Sequence, residues 1–308
     1  MNIERDVRLA PHSSLRVGGA ADAFVLARTA NDLIEGLRWG VSRGLPVRVI
    51  GGGSNLLVAD AGVEGVVIRM ASTQWEVVDR DGLPTLVAES GVTFASVARR
   101  LAKRGLGGIE WAANVPGTVG GAAVNNAGAF GGETASCLLA VEIVNDTGEV
   151  RRLDAADLAY AYRTSRLKRG ELGVVGVVRV ELRLARSTPE QADGLVKTFQ
   201  AQRTATQPRI SSAGSVFANP PNTYSGKLIE EAGLKGARRG GAQISEQHAN
   251  FIVNHGGATA ADVYALMRLA QRTVFERTGI WLRPEIELVG RWSADQREAV
   301  AEPLVSRG

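Results

Sequence analysis

The chain has 308 residues, more than one compact core usually holds, so two or three domains are expected. Its 44% hydrophobic and 22% charged content is that of a globular protein and excludes a disordered or fibrous chain. A net charge of +4, spread thinly, with 5% aromatic residues argues against a basic stripe with stacking rings, and so against a nucleic-acid partner.

The first twenty residues carry Glu4, Arg5, Asp6, Arg8 and Arg16 and lack an apolar core of signal-peptide length. No stretch reaches the ~18 apolar residues of a membrane span. Cys137 is the only cysteine, which forbids an intrachain disulfide and suits a reducing compartment. A cytoplasmic protein without membrane insertion is expected.

Asn31 to Gly44 reads as an amphipathic helix with Leu33, Leu37 and Val41 on one face and Gly44 as its stop. Strand signals follow at Val47–Ile50, Val66–Met70, Trp75–Val78 and Leu86–Glu89. Val92 to Gly105 has helical spacing, with Val97 and Leu101 inward. Val141–Val144 and Val150–Leu153, joined through Asp146-Thr147-Gly148, read as a hairpin, and Val174 to Leu184 as a long apolar strand. Ser187-Thr188-Pro189-Glu190 has capping-box spacing, which places a helix start and a domain boundary there. A further helix runs from Thr259 to about Thr278, with Val263, Met267, Ala270 and Val274 on one face. The tail 291–308 has little apolar pattern and reads as a loose helix or as disordered. Helices and strands mix without regular βαβ alternation, which points to α+β domains rather than a Rossmann sheet. No Gly-x-Gly-x-x-Gly or Walker lysine motif is present.

Glycine is in excess, at 37 residues, and the excess is local: nine of the 28 residues from Gly105 to Gly132 are Gly. One glycine run, Gly51-Gly52-Gly53-Ser54-Asn55-Leu56, follows the apolar strand Val47–Ile50. A second, Pro116-Gly117-Thr118-Val119-Gly120-Gly121-Ala122, continues into Asn125. Glycine permits positive φ and close backbone approach, and successive N–H groups then form an anion-binding concavity. Taken alone, the first run is equally a tight turn between strands; the pair suggests a phosphate-bearing cofactor held from two sides.

Tyr162-Arg163-Thr164-Ser165, with Arg166 and Lys168, is either a solvated turn or an oxyanion clamp, since guanidinium binds carboxylate and phosphate in bidentate fashion. Ser215 follows Gly214 at a turn into a short strand and could be a proton donor or a nucleophile. It lacks the Gly-x-Ser-x-Gly frame of a hydrolase, and three scattered histidines with one cysteine make neither a triad nor a metal site. Glu285 and Glu287 stand two apart, so on a strand they share one face, pointing into a site or to solvent.

Together, Arg16-Val17-Gly18-Gly19, Gly51–Leu57, Pro116–Gly132, Tyr162–Lys168, Gly214–Pro220, Gly226–Gly236 and Leu282–Gly290 resemble, in the same order, the bacterial UDP-N-acetylenolpyruvoylglucosamine reductases (MurB). The resemblance covers about Leu15 to Gly290. It implies an α+β chain: an FAD-binding region of the vanillyl-alcohol-oxidase type, in two subdomains at 1–72 and 73–186, followed by a substrate domain at 187–308. It implies noncovalent FAD held by Gly51, Gly52, Gly53, Ser54, Asn55, Leu56, Pro116, Gly117, Thr118, Gly120, Gly121, Ala122 and Asn125. It also implies NADPH as hydride donor and a UDP-sugar substrate bound through Tyr162, Asn219 and Gln247, in a monomer of the peptidoglycan pathway. Of the family's motifs, Tyr-Arg-x-Ser matches Arg163, Gly-Ser-x-Phe matches Ser215 and Leu-x-Pro-Glu matches Glu285, which the resemblance makes the catalytic set. Hydride addition to an enolpyruvyl double bond leaves an enolate, which needs a cation or acid beside it and then a proton.

The chain departs from the family pattern at Ala218, where the family often has Lys, and at Arg283, where it often has Glu. The short stretch from Pro220 to Gly226 resembles the subclass without a substrate-closing tyrosine loop, for which Tyr224 is a partial substitute. An FAD-dependent oxidase of the same superfamily and a nucleotide-binding module without chemistry are the alternatives. The absence of His and Cys from both glycine runs weighs against the covalent flavin common in the first, and the combination of Arg163, Ser215 and Glu285 against the second.

Overall fold

The computed structural model describes residues 1–302. The chain forms two compact units: Met1–Arg5, Ala23–Gly52 and Gly65–Ala205 in the first, and Asp6–Asp22, Gly53–Glu64 and the chain from Thr206 onward in the second. The division falls at Thr206 and is discontinuous, whereas the sequence reading drew contiguous boundaries at 72/73 and 186/187. Strand pairing is the physical reason: segments far apart in sequence share a ladder.

One sheet takes the strands in the order Glu4–Arg8, Ala20–Ala27, Val63–Met70, Val47–Ile50. Val47–Ile50 runs parallel to Val63–Met70, with Ile50 opposite Arg69, so the first glycine run leaves from the carboxyl end of a parallel strand. Helix α1 (Ala30–Val41) starts at a capping box between Thr29 and Asp32. Its buried face is Leu33, Gly36, Leu37 and Gly40; Val41, expected inward, is 46% exposed. A Cβ at Gly40 would lie 2.5 Å from Val47 Cγ2, so the small residues are what let the helix sit on the sheet.

The second sheet of this unit is antiparallel, in the order Val150–Asp154, Leu138–Asn145, Val174–Arg183, Leu83–Glu89, Trp75–Arg80. The predicted hairpin is present, with Val141 opposite Leu153. Helices α2 (Phe94–Ala102) and α3 (Val119–Asn125) pack with this sheet in one core that includes Leu86, Phe94, Val97, Leu101, Val119, Val141 and Val180. Helix α4 (Pro189–Thr206) is capped by Thr188 rather than Ser187: the Gln191 N–H donates to Thr188 Oγ1 at 3.3 Å.

The second unit holds a sheet ordered Ser212–Ser215, Phe251–Asn254, Ala242–Ile244, Arg238–Arg239 and a separate parallel pair, Leu56–Val58 with Glu287–Val289. Helices α5 (Ser225–Glu231), α6 (Ala260–Thr278) and α7 (Ala294–Ala301) contribute to its core. That core draws Leu15, Val17 and Leu57 from the early segments to Phe217, Leu228, Met267, Leu282 and Ile286. The N-terminus of α6 has a capping box of Thr259 and Asp262, and the Asp60 carboxylate accepts from the Ala260 and Ala261 N–H groups at 2.8 and 2.9 Å. The tail, read as a loose helix or as disordered, contains helix α7 behind a Ser293–Gln296 capping box; residues 303–308 lie outside the described residues. Gln271, fully buried on α6, donates to the Leu282 and Val300 carbonyls and ties that tail to the core.

Candidate active site

In the first unit the two glycine runs meet. A Cβ at Gly51 would stand 2.5 Å from Thr118 Oγ1, and one at Gly52 would stand 2.9 Å from the Gly117 Cα, so neither position admits a side chain. The second run is stitched to the turn before α2: Phe94 N–H donates to the Gly117 carbonyl, Val119 N–H to Val92 and Gly120 N–H to Ser90, at 3.1, 2.9 and 3.0 Å. Gly121 N–H donates to Thr118 Oγ1. The amides of Gly120 and Gly121, expected to face an anion, are therefore used inside the protein. Their glycines serve close packing instead, since a Cβ at Gly120 would lie 2.5 Å from Ser90 Cβ.

What this region offers a ligand is side-chain polarity. Asn125 Nδ2 donates to the Gly121 carbonyl, which leaves its Oδ1 buried with no hydrogen-bond partner among the described residues. Ser90 Oγ and Asn114 Nδ2, beside the same run, are buried in the same condition. Buried polar atoms without partners cost about 1–3 kcal/mol each. Three of them around a loop pair too tight for side chains suit a polar heterocycle, so these residues fit FAD. Ser90 and Asn114 carried no sequence signal, because an isolated Ser or Asn next to a glycine run has no periodicity.

Arg163 sits in the same unit, on a two-residue turn closed by the Ala161 and Thr164 backbones. Its φ is +57°, a left-handed conformation costing a non-glycine residue about 1–2 kcal/mol. The guanidinium donates to the carbonyls of Asn126 and Gly128, at 3.3 and 2.7 Å, so it is braced against the second glycine run. Tyr162, half exposed, lies beneath it, with the guanidinium carbon 5.4 Å from the ring centre. Ser165, fully buried, donates to the Val124 carbonyl, and Tyr160 to that of Ala123. The Tyr-Arg-x-Ser segment is thereby fastened at three points to α3 and the chain just after it.

In the second unit Ser215 ends its strand, opposite Phe251, after Gly214 at φ +74°. The following backbone is fixed by buried Asn250, whose side chain accepts from the Phe217 N–H and donates to the Phe217 carbonyl. Glu285 N–H donates to the Val216 carbonyl at 2.8 Å, which places the acid one residue from Ser215 across the pairing. Glu285 and Glu287 do not share a strand face: the strand begins only at Glu287, after a bend at Ile286. Asn55 Nδ2 donates to the Glu285 carbonyl at 3.0 Å, and its own carbonyl accepts from Glu287 N–H. Asn55 with Leu56 thus positions the acid's strand, while Gly53 at φ +64° sits against the His12 carbonyl. Ser54, between them, is half-buried.

Ser215, Asn219 and Gln247 line one cleft of about 530 Å³. Asn219 Oδ1 accepts from the Ser225 N–H at the start of α5, so its amide nitrogen is the atom left for a ligand. Two further lining residues, Tyr224 and His248, stand out from the structure. His248 Nδ1 accepts from the Asn250 N–H, which leaves Nε2 as the donor. Burial, helped by the positive charge of Lys235, holds this imidazole below its ordinary range, and so neutral. A lone histidine beside Gln247 gave no pattern to single it out. Ala218 and Arg283 face each other across a backbone hydrogen bond and do not line the cleft, so both departures leave its wall intact.

An FAD-binding domain model matches residues 21–154, and the C-terminal domain model of UDP-N-acetylenolpyruvoylglucosamine reductase matches residues 206–289. The reductase of that name from Synechococcus sp. (strain JA-3-3Ab) is 40% identical over 99% of this chain and 94% of its own length. The one from Anaeromyxobacter dehalogenans (strain 2CP-C) is 45% identical over 95% of this chain and 87% of its own. The crystal structure of the Thermus caldophilus enzyme (MurB) superposes with a TM-score of 0.79 at 37% identity, covering 94% of this chain and 99% of that one. With both glycine runs inside the FAD-domain match, and with Ser215, Asn219 and Gln247 on a single cleft inside the C-terminal match, the chain belongs to the UDP-N-acetylenolpyruvoylglucosamine reductase family.

Proposed function

We propose that this chain reduces the enolpyruvyl group of UDP-N-acetyl-3-O-(1-carboxyvinyl)-glucosamine to give UDP-N-acetylmuramate, a peptidoglycan precursor, with FAD as cofactor and NADPH as reductant. The observation that carries this reading is the cleft shared by Ser215, Asn219 and Gln247, with Glu285 hydrogen-bonded to the residue after Ser215, in a chain that matches the reductases over nearly its whole length. When bound, FAD supplies hydride transfer from NADPH to the substrate. Hydride arrives at the β-carbon of the double bond, and the electron pair moves onto the α-carbon and its carboxylate. Arg163, already braced by two carbonyls, supplies the cation for that charge without reorganising. Ser215 Oγ gives the proton to the α-carbon, with Glu285 beside that charge. Tyr162, Asn219 and Gln247 hold the sugar nucleotide. Gly51 to Leu56, Pro116 to Ala122 and Asn125 hold the flavin, joined by Ser90 and Asn114.

A covalent-flavin oxidase finds no support: Cys137 is buried and its thiol is pushed up to about 12, so it is no nucleophile at neutral pH. No helix among the described residues is long and apolar enough to cross a membrane; a cytoplasmic monomer is part of the proposal. Stopped-flow spectroscopy of Ser215→Ala tests the role assignment. Bleaching of the flavin by NADPH is expected to keep its rate, while recovery of absorbance on adding the enolpyruvyl sugar slows about 10²–10⁴-fold. Recovery at the unaltered rate removes Ser215 from the mechanism.

A further inference from the structure

Tyr224 is 68% exposed, more than any other large hydrophobic side chain among the described residues. No described residue hydrogen-bonds, stacks on or places a cation over its ring. An aromatic ring left in water without a partner gains from covering. Its position is not arbitrary, because it lies on the wall of the same cleft as Ser215.

The backbone beneath it is rigid. Tyr224 is the N-cap residue of α5, and its carbonyl accepts from Leu228 N–H. The next residue, fully buried Ser225, donates its N–H to Asn219 Oδ1 and its hydroxyl to the Ala218 carbonyl. The ring is thus presented from a fixed point, which limits the ordering cost of a ligand laid against it. Three residues on, and so on the same helical face, Lys227 lines the same cleft. Among the described residues its ammonium pairs with exposed Glu231 alone, at 3.8 Å, a pair that a doubly charged phosphate group can displace. A flat apolar surface followed one turn later by a loosely held cation matches a base followed by a diphosphate. The depth order agrees, since Ser215 is half-buried and Tyr224 stands at the lip.

We infer that Tyr224 is the specificity-determining platform on which the nucleobase of the UDP-sugar stacks, an assignment that rests on the reductase reading above. Stacking of a base on an aromatic side chain is worth enough that Tyr224→Ala raises KM for the UDP-enolpyruvyl sugar about 5- to 50-fold. kcat stays put, because the lost contact is the same in ground and transition states. Tyr224→Phe and Tyr224→Trp retain the wild-type KM, since both keep a ring. Steady-state NADPH oxidation against substrate concentration reads all three, with melting temperature and bound FAD measured on each variant to confirm the fold.

A wild-type protein that oxidises NADPH only with the sugar, paired with a Tyr224→Ala variant of unchanged KM, overturns the platform and leaves the reductase reading standing. A Tyr224→Phe variant as impaired as Tyr224→Ala overturns it too, by assigning the effect to the hydroxyl. A wild-type protein with no substrate-dependent NADPH oxidation sinks the reductase reading itself.

Discussion

His248 shows how a single side chain links the cleft to pH. Its ring is stacked at a tilt against Phe251, 4.8 Å between centres, and its Nδ1 is engaged by the Asn250 N–H. The unfolded chain binds a proton on this group near pH 6.5, whereas the folded chain resists it because burial disfavours the charged ring. Between those two pKa values the unfolded state holds more protons, so stability falls as pH drops below about 6.5 and is fully present above it. Urea unfolding of wild type and His248→Gln at pH 7.5 and pH 5.5 is expected to show a larger acid loss for wild type; equal losses would show that His248 does not drive it. Lys227 and Glu230 line the same cleft, and the charges of Lys235 and Glu230 act on the ring in opposite senses.

At the scale of elements, local chemistry set what could be read in advance. The helices near 31 and 259 and the 141–153 hairpin were legible because helical periodicity and alternation are local signals, whereas the capping boxes at Thr29 and Thr259 emerge from the structure. Three expectations gave way to partners distant in sequence. Val41 turned outward because the helix packs Gly36 against Ile68 and Gly40 against Val66. Glu285 left the strand because its N–H is engaged by Val216. The second glycine run turned its amides inward onto the 90–94 turn. Asp60 is a fourth distant partner: it supplements the α6 cap from 200 residues away. Asp60→Ala removes an acceptor and a negative charge at a helix N-terminus, so a loss of about 1–2 kcal/mol is expected. Chemical denaturation checks this, and Asp60→Asn should recover part of the loss; an unshifted midpoint for Asp60→Ala would show that Thr259 and Asp262 suffice.

For the whole molecule, the decisive fact is that the second unit is assembled from three stretches of chain. Leu15, Val17 and Leu57 are all but fully buried in a core otherwise drawn from beyond residue 206. Each is worth about 1.5–3 kcal/mol of burial, which is comparable to the margin of a domain this size. A fragment spanning 206–302 is therefore expected to lack cooperative unfolding in a melt followed by circular dichroism. Fusing 6–22 and 53–64 through linkers should restore it; a cooperative transition in the bare fragment would contradict the shared core. Contiguous boundaries were the natural reading of the sequence because linkers and caps mark where a chain turns, not where it returns. Short motifs singled out Arg163, Ser215 and Glu285 as candidates and the missing loop pointed to Tyr224, whereas His248 needed the cleft to connect it.

The parallel ladder between Leu56–Val58 and Glu287–Val289 has a consequence in time. Protein synthesis delivers the glycine run early and the carboxylate some 230 positions later. At an elongation rate of ~5–20 residues per second, that interval lasts about ten seconds or more. Throughout it, Asn55 has no Glu285 carbonyl to meet, and the edge of Leu56–Val58 waits open. The strand next to Glu285, the proposed acid, is thus among the last parts fitted, and the Leu56–Val58 ladder closes only near the end of synthesis.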